Sequence, residues 1–289
     1  MRFLLTMLCW LIATAGLAVA LPAAWAQANI VDENGYSALA EQAARDPALQ
    51  SAMASELTTR AMALINERSG RGNPVDSSTV HDVAAAFTAG RSFPPLFVQV
   101  NRAAHGWLFS APQPGGNDQW VVDVAPMLKD TGIQQQLATY NVQVPATLKV
   151  PLTVPVDQPL RQGQFHRAEV WGPWLSIGVA AVTALFAFLT LVAARSRGRA
   201  VTALGISALL VGAAGWAGIE MGGRPLNEAL NRTTGDIRRM ADVMVGHAES
   251  SMHLWLNLTL LTGVGLVVLG MLAALLGGLF KRKSKGSAT

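Results

Sequence analysis

The sequence predicts an α-helical membrane protein that carries a small, helix-rich α+β domain outside the cytoplasm. Three observations lead to this fold class. The 289 residues are 51% hydrophobic but only 14% charged, the apolar residues are gathered into four long blocks, and short basic clusters follow two of those blocks. Soluble globular chains contain about 25% charged residues. The apolar excess therefore indicates contact with lipid rather than a larger core.

Each of the four apolar segments is long enough to cross a bilayer, which takes about 20 apolar residues for roughly 30 Å of hydrocarbon. They cover residues 3–21, 171–194, 200–219 and 254–280, and none of them contains Asp, Glu, Lys or Arg. Trp171, Trp174 and Trp255 lie at segment ends, where interfacial aromatic residues are expected. We therefore predict four transmembrane helices.

The distribution of charge predicts the orientation. Basic residues without acidic neighbours fill the link 195–199 and the tail 281–289, whereas all 18 acidic residues lie in the segments 27–169 and 220–253. Basic clusters mark the cytoplasmic side of a membrane protein. The predicted topology determinants are Arg195, Arg197, Arg199, Lys281, Arg282, Lys283 and Lys285. The main domain is then extracytoplasmic, and the cytoplasmic membrane is the expected location.

The resulting organisation has eight parts. These are a signal-anchor or signal peptide (1–26), an extracytoplasmic α+β domain (27–169), a transmembrane helix (170–194), a basic link (195–199), a second helix (200–219), an extracytoplasmic helical segment (220–253), a third helix (254–280) and a basic tail (281–289). Ala24, Trp25 and Ala26 resemble a signal-peptidase site, but the preceding apolar stretch exceeds the usual 7–15 residues of a signal peptide. An uncleaved signal-anchor is favoured, and cleavage stays the alternative.

Helical spacing dominates the first half of the outer domain. Asp46 and Pro47 form a typical helix start, Thr79 and Asp82 suggest a capping box, and a Pro-Pro pair at 94–95 begins a further helix. Apolar stripes at helical spacing follow each start. They comprise Leu49, Met53, Leu57, Ala61 and Leu64, then Val80, Val83 and Phe87, and then Phe97, Val100, Ala104 and Trp107.

The second half of the domain changes period. A short β-like run covers 120–124, a helical stretch covers about 126–140, and apolar residues alternate from 142 to 155. Prolines at 145, 151 and 155 predict an edge strand or an extended arm, because proline lacks a ladder donor. The domain is expected to contain a minimal sheet.

The segment 220–253 is expected to form an amphipathic helix with Ile237, Met240 and Met244 on one side. Docking on the main domain is favoured, because an isolated helix gains most of its stability from packing. The alternatives are a helix that lies on the membrane and one that contacts a partner. Small residues in the spans predict close helix contacts. They are Gly270, Ala274 and Gly278, together with Ala208 and Gly212.

The sequence contains no recognisable catalytic, metal-binding or cofactor-binding motif. It contains no phosphate-binding loop, zinc-peptidase motif, cysteine pair or nucleophile elbow, and the five histidines show no metal-ligand spacing. We predict no catalytic, cofactor-binding or metal residues. The one polar group of interest is Asn101, Arg102 and His105, which could present a surface patch to a ligand or partner. A structural role, in which these residues cap the helix or bridge to the neighbouring strand region, is favoured over the patch, and Asp123 could pair with Arg102 there.

Three stretches resemble a group of uncharacterised actinobacterial integral membrane proteins. They are Tyr36 to Gln50 (YSALAEQAARDPALQ), Asn101 to His105 (NRAAH) and Val122 to Val124 (VDV). The resemblance covers most of the chain, including the helix pair around an arginine link. It implies the same topology and a cell-envelope location, but no activity.

Three function classes are compatible with the sequence. The favoured class is a non-enzymatic cell-envelope protein that binds or scaffolds something outside the cytoplasm. The alternatives are an accessory subunit of a membrane transporter or secretion complex, and a membrane-anchored enzyme with an unreadable site. Spans without ionisable residues argue against an ion pathway. The expected partners are the lipid bilayer and other membrane or envelope proteins, and nucleic acid is not expected.

Overall fold

A computed structural model describes residues 2–68, 76–112, 121–123, 134, 149–151, 161–230 and 235–286. The chain divides into two compact units. The membrane unit comprises Met1–Gln27, Val170–Arg224 and Glu249–Thr289, and the helical unit comprises Ala28–Glu169 and Pro225–Ala248. Each is described by itself.

The membrane unit is built from the greater part of four long helices, α1 (Arg2–Ala26), α6 (His166–Ala193), α7 (Arg197–Leu230) and α8 (Gly235–Gly286). The stretches long and apolar enough to cross a membrane are Phe3–Val31, His166–Ala193, Arg197–Gly222 and Gly235–Leu276. This confirms the four predicted spans and agrees with a multi-pass membrane protein. Helix α1 is joined to α7 by a hydrogen bond from Trp10 Nε1 to the Ala203 carbonyl at 3.0 Å.

Glycines let α7 and α8 approach closely. A Cβ atom at Gly205 would lie 2.8 Å from the Gly263 carbonyl oxygen, and one at Gly198 would lie 2.6 Å from the Ala274 amide nitrogen. At Gly212 the added atom would lie 2.7 Å from the Leu260 side chain. Real Cβ contacts are essentially never this short. Gly212, Gly270 and Ala274 thus make close helix contacts as expected from the sequence, whereas Gly198 and Gly205 were not predicted. Small residues allow backbones in lipid to approach each other.

The helical unit contains α2 (Glu33–Ala44), α3 (Pro47–Arg68), α4 (Ser77–Thr88) and α5 (Phe93–Phe109). Helix α2 packs on α5, and α3 packs on α4. A short π-helical stretch, Gln27–Val31, follows α1 and leads to α2. Where it passes α2, a Cβ atom at Gly35 would overlap the Ala28 carbonyl oxygen, so this close approach requires glycine.

Helix α2 was not expected from the sequence, yet its alanines form much of the core. Ala40, Ala43, Ala44, Leu49 and Phe93 are all 0% exposed, and Phe97 joins the same cluster. Three residues from the start of α8 pack against this cluster: Met240, Val243 and Met244. The helical unit is thus completed by a segment that lies beyond α6 and α7 in the chain.

The caps agree with the sequence in part. Asp46 precedes α3 and its Oδ1 accepts a hydrogen bond from the Ala48 amide at 2.9 Å, as expected for that helix start. The capping box expected at Thr79 and Asp82 is wrong, because α4 begins earlier and Asp76 is its N-cap. Hydrogen bonds from the Ser78 hydroxyl and then its amide lower the pKa of Asp76.

The predicted α+β fold class is wrong. The described residues are overwhelmingly helical, and the strands among them are β1 (Val121–Asp123) and β2 (Lys149–Pro151), paired antiparallel with Val122 opposite Val150. Three residues a side do not form a sheet layer. The helix expected at 126–140 lies outside the described residues apart from position 134, as does the 142–155 run apart from 149–151. The segment 220–253 is not a separate helix, since it is shared between the end of α7 and the beginning of α8.

Candidate functional site

Asn101, the first residue of the expected polar patch, connects α5 to α2. The Tyr36 hydroxyl donates to Asn101 Oδ1 at 3.1 Å, and Asn101 Nδ2 donates to the Phe97 carbonyl at 2.9 Å. Both halves of the amide therefore have partners within the helical unit. The side chain therefore links the two helices.

Arg102 lies on the same helix and also reaches towards α2. Its Nε donates to the Ser37 hydroxyl at 2.9 Å and lies 3.8 Å from Glu33 Oε1. Ser37 is buried, whereas the Arg102 side chain is 50% exposed. An exposed ion pair of this length contributes at most about 1 kcal/mol. The pairing considered for Asp123 lies outside the described side chains.

His105 is 5% exposed and lies inside the helical unit rather than on a surface patch. Its Nε2 lies 3.0 Å from the Ile30 carbonyl oxygen, and because that oxygen can only accept, Nε2 carries the proton. The ring stacks on Phe109 with centroids 4.2 Å apart and lies 5.2 Å from the Tyr36 ring. His105 thus ties α5 to the π-helical stretch.

Tyr36 is the residue of this network that sequence reasoning did not select as a site residue. Burial raises the pKa of its hydroxyl above the ordinary value of 10.0. The hydroxyl therefore stays neutral at physiological pH and remains a donor to Asn101. One signal could have identified it, namely a lone tyrosine in a short alanine-rich stretch. We call the four residues Tyr36, Asn101, Arg102 and His105 the α2–α5 polar network.

A second polar contact was also missed. His247, in the first part of α8, places Nε2 3.2 Å from Asp46 Oδ2, and the other oxygen of that carboxylate caps α3. Asp46 therefore holds both the helix start and the segment that docks on the core. No pattern within either stretch predicts the contact, because the two residues are 201 positions apart.

The three remaining histidines each contact a group within their own unit. His81 Nδ1 lies 3.3 Å from the Thr58 hydroxyl, His166 Nδ1 lies 3.1 Å from the Phe109 carbonyl, and His253 stacks on Trp216 at 3.9 Å. Across the described ranges, no group of three or more His, Cys, Asp or Glu side chains is arranged to hold a metal ion.

No family model, curated protein or solved structure matches the chain. The geometry of the chain itself is therefore the basis for assigning a function. In the part of the chain that the structure describes, the expected site residues connect helices to one another. Arg102 is the member of the α2–α5 polar network whose charged side chain is half-exposed.

Proposed function

We propose that the chain is a multi-pass protein of the cytoplasmic membrane whose helical unit lies outside the cytoplasm as a non-enzymatic cell-envelope binding or scaffolding domain. The single observation that carries the proposal is that two separate segments of the chain form the helical unit. Met240 and Met244, which follow α7, pack on the core formed by α2, α3 and α5. Two distant segments thus build one body attached to a four-helix membrane unit.

The pairing of these two segments in one unit supports the proposed orientation. Since both segments belong to one unit, they lie on one side of the membrane, and α6 and α7 form a hairpin that crosses it twice. Arg195, Arg197 and Arg199 lie at the turn of that hairpin and are all exposed. Basic residues at such a turn favour the cytoplasm. The helical unit is then extracytoplasmic.

A binding or scaffolding role is supported by how the polar side chains are used. Asn101 and His105 are engaged in bonds that hold helices together, as a rigid platform requires. Arg102 offers a half-exposed guanidinium, a group with donors suited to carboxylate or phosphate. The resemblance to actinobacterial membrane proteins stays a prediction and agrees with an envelope location.

Orientation is tested by labelling single cysteines with a membrane-impermeant maleimide in intact cells. Cys9 is the single cysteine of the chain and is buried, so a Cys9→Ala background allows new sites at Gln164 and Ser196. We expect Gln164→Cys to react in intact cells, and Ser196→Cys to react only after lysis. The opposite pattern would invert the proposed orientation.

The binding role is tested by a photo-crosslinking amino acid placed at the exposed positions Gln42 and Gln99 of the helical unit. We expect a discrete protein adduct that weakens in Arg102→Ala. The matched control is Arg45→Ala, another exposed arginine of the same unit, paired with Glu41. Absence of any adduct would contradict the proposal. Adducts formed only from the membrane unit, for example from Val182, would favour an accessory subunit of a transporter or secretion complex.

A further inference from the structure

The membrane unit contains an open cavity of about 520 Å³ between its four helices. Each helix contributes one face, because the lining positions recur at helical spacing, as at 180, 183, 184 and 187 on α6. We call this cavity the bundle groove. Its volume lies within the roughly 300–1,000 Å³ typical of ligand pockets.

Alanines create the space. Ala13, Ala180, Ala184, Ala187 and Ala208 line the groove, whereas leucines cover much of the outer surface of the same helices. A methyl side chain leaves room that a leucine would fill. The groove is therefore a feature of this particular arrangement of side chains and not a general gap between helices.

Hydroxyl groups in the lining do not make the groove polar. Thr183 donates to the Val179 carbonyl at 2.7 Å, Thr259 to Trp255 at 2.9 Å, and Thr262 to Leu258 at 2.8 Å. Each bond closes on the preceding turn of its own helix, so these protons are already used. Water is held in cavities by two to four polar partners, and apolar cavities stay dry. The groove is thus suited to hydrocarbon.

The depth of the groove matches one leaflet. On α8 it runs from Trp255 to Leu266, about 16 Å at 1.5 Å per residue. The hydrocarbon of a bilayer is about 30 Å thick, so this is about half of it. Trp255 lies at the end where interfacial tryptophans meet the headgroups. One end of the groove is therefore at the headgroup level and the other is near the bilayer centre.

We propose that the bundle groove is a binding site for one acyl tail of a phospholipid, taken from the leaflet at the Trp255 end. A transmembrane helix from a second copy is a poorer fit, because such a helix crosses the whole of the roughly 30 Å of hydrocarbon, whereas the groove extends along about half of it. The site is distinct from the helical unit. It depends on the chain being in a membrane, and not on what the helical unit binds.

The test uses the full-length protein in cells fed a fatty acid that carries a photoactivatable diazirine. After irradiation, labelled residues are identified by mass spectrometry. We expect labels concentrated on groove positions such as Leu258, and a loss of at least about tenfold there in Ala184→Phe, which fills the groove. The matched control is Ala181→Phe, an exposed position on the same helix that does not line the groove. It should leave the labelling of Leu258 unchanged.

Native mass spectrometry of the purified protein gives an independent result. We expect one tightly retained phospholipid on the wild type and on Ala181→Phe, and none on Ala184→Phe. Should Ala184→Phe accumulate poorly, Ala180→Leu narrows the same groove with a smaller side chain. Equal labelling of both faces of α6, or a dimer that covers Leu258, would overturn the proposal.

Discussion

Replacement of Phe93 by alanine is the most informative test of the helical unit. Phe93 is 0% exposed and lies in the same buried cluster as the alanines of α2. Its ring meets Phe87 edge-on at 5.7 Å and Phe97 at 5.6 Å. A smaller side chain there removes the central aromatic group of the core.

The expected loss of stability is large because Phe93 is fully buried and the alanines beside it are too small to refill the space. Phe→Ala substitutions in cores cost about 3–5 kcal/mol, and the cost is highest where the site cannot collapse. Ala40, Ala43 and Ala44 have no side chain that can rotate into the cavity. We therefore expect a loss of about 4–5 kcal/mol, which is about a quarter or more of the roughly 5–15 kcal/mol that stabilises a typical domain.

Hydrogen–deuterium exchange of the detergent-solubilised protein measures this loss directly. Since about 1.4 kcal/mol corresponds to tenfold, amides of α2, α3 and α5 should lose protection by about a thousandfold, while the spans keep theirs. Phe165→Ala is the control, because that side chain is 42% exposed and should cost about 1 kcal/mol. A loss of less than tenfold for Phe93→Ala would refute the assignment of this core.

Three further changes test other contacts. Gly35→Ala should destabilise the helical unit by several kcal/mol, because the new methyl overlaps the Ala28 carbonyl, and thermal unfolding measures it. The folded-state pKa of Tyr36 is raised, so its contribution to stability is complete below pH 10 and is lost as pH rises through that higher pKa. Tyr36→Phe should therefore show a smaller fall in melting temperature at alkaline pH than the wild type. Gly205→Leu should separate α7 from α8 at Gly263, and gel filtration together with trypsin resistance in detergent should show a loosened membrane unit, whereas an unchanged digestion pattern would contradict the packing.

The four spans could be predicted from sequence because lipid imposes a severe condition. A segment must be long, apolar and hydrogen-bonded within itself, and few sequences meet that condition by chance. The glycine contact between α7 and α8 was anticipated from Gly212 and Gly270 for a related reason. Its actual partners could not be named, because helix rotation depends on the whole bundle.

Helix α2 was missed because its core residues are small. Ala40, Ala43 and Ala44 give a weak periodic signal, since alanine contributes little to a hydrophobic stripe. Their value comes from allowing α2 to approach the aromatic residues of α5, which is a property of the pair and not of either helix. The α2–α5 polar network could be predicted only in part for the same reason. Asn101 and His105 were predicted as polar residues of interest from their spacing on one helix. Tyr36 and Ser37 contact them only because α2 packs on α5.

Strand pairing could be predicted only in part from alternating side chains. A strand needs a neighbour to accept and donate ladder bonds, and the prolines at 145, 151 and 155 withhold donors. In the described residues, pairing covers Lys149–Pro151. Alternation therefore predicted extended backbone correctly at those three residues, but it could not identify β1 as their partner.

The packing of Met240 and Met244 on the core imposes an order on biosynthesis. At about 5–20 residues per second, α5 emerges from the ribosome roughly ten seconds before these methionines. During that interval the aromatic core of the helical unit lacks the segment that seals it, while α6 and α7 are being inserted. The newly made chain therefore exposes Phe93 and Phe97 to chaperones and proteases until the segment that contains Met240 and Met244 has been synthesised and has packed on the core. A chain truncated within α7 would lack that segment, and its core would stay exposed.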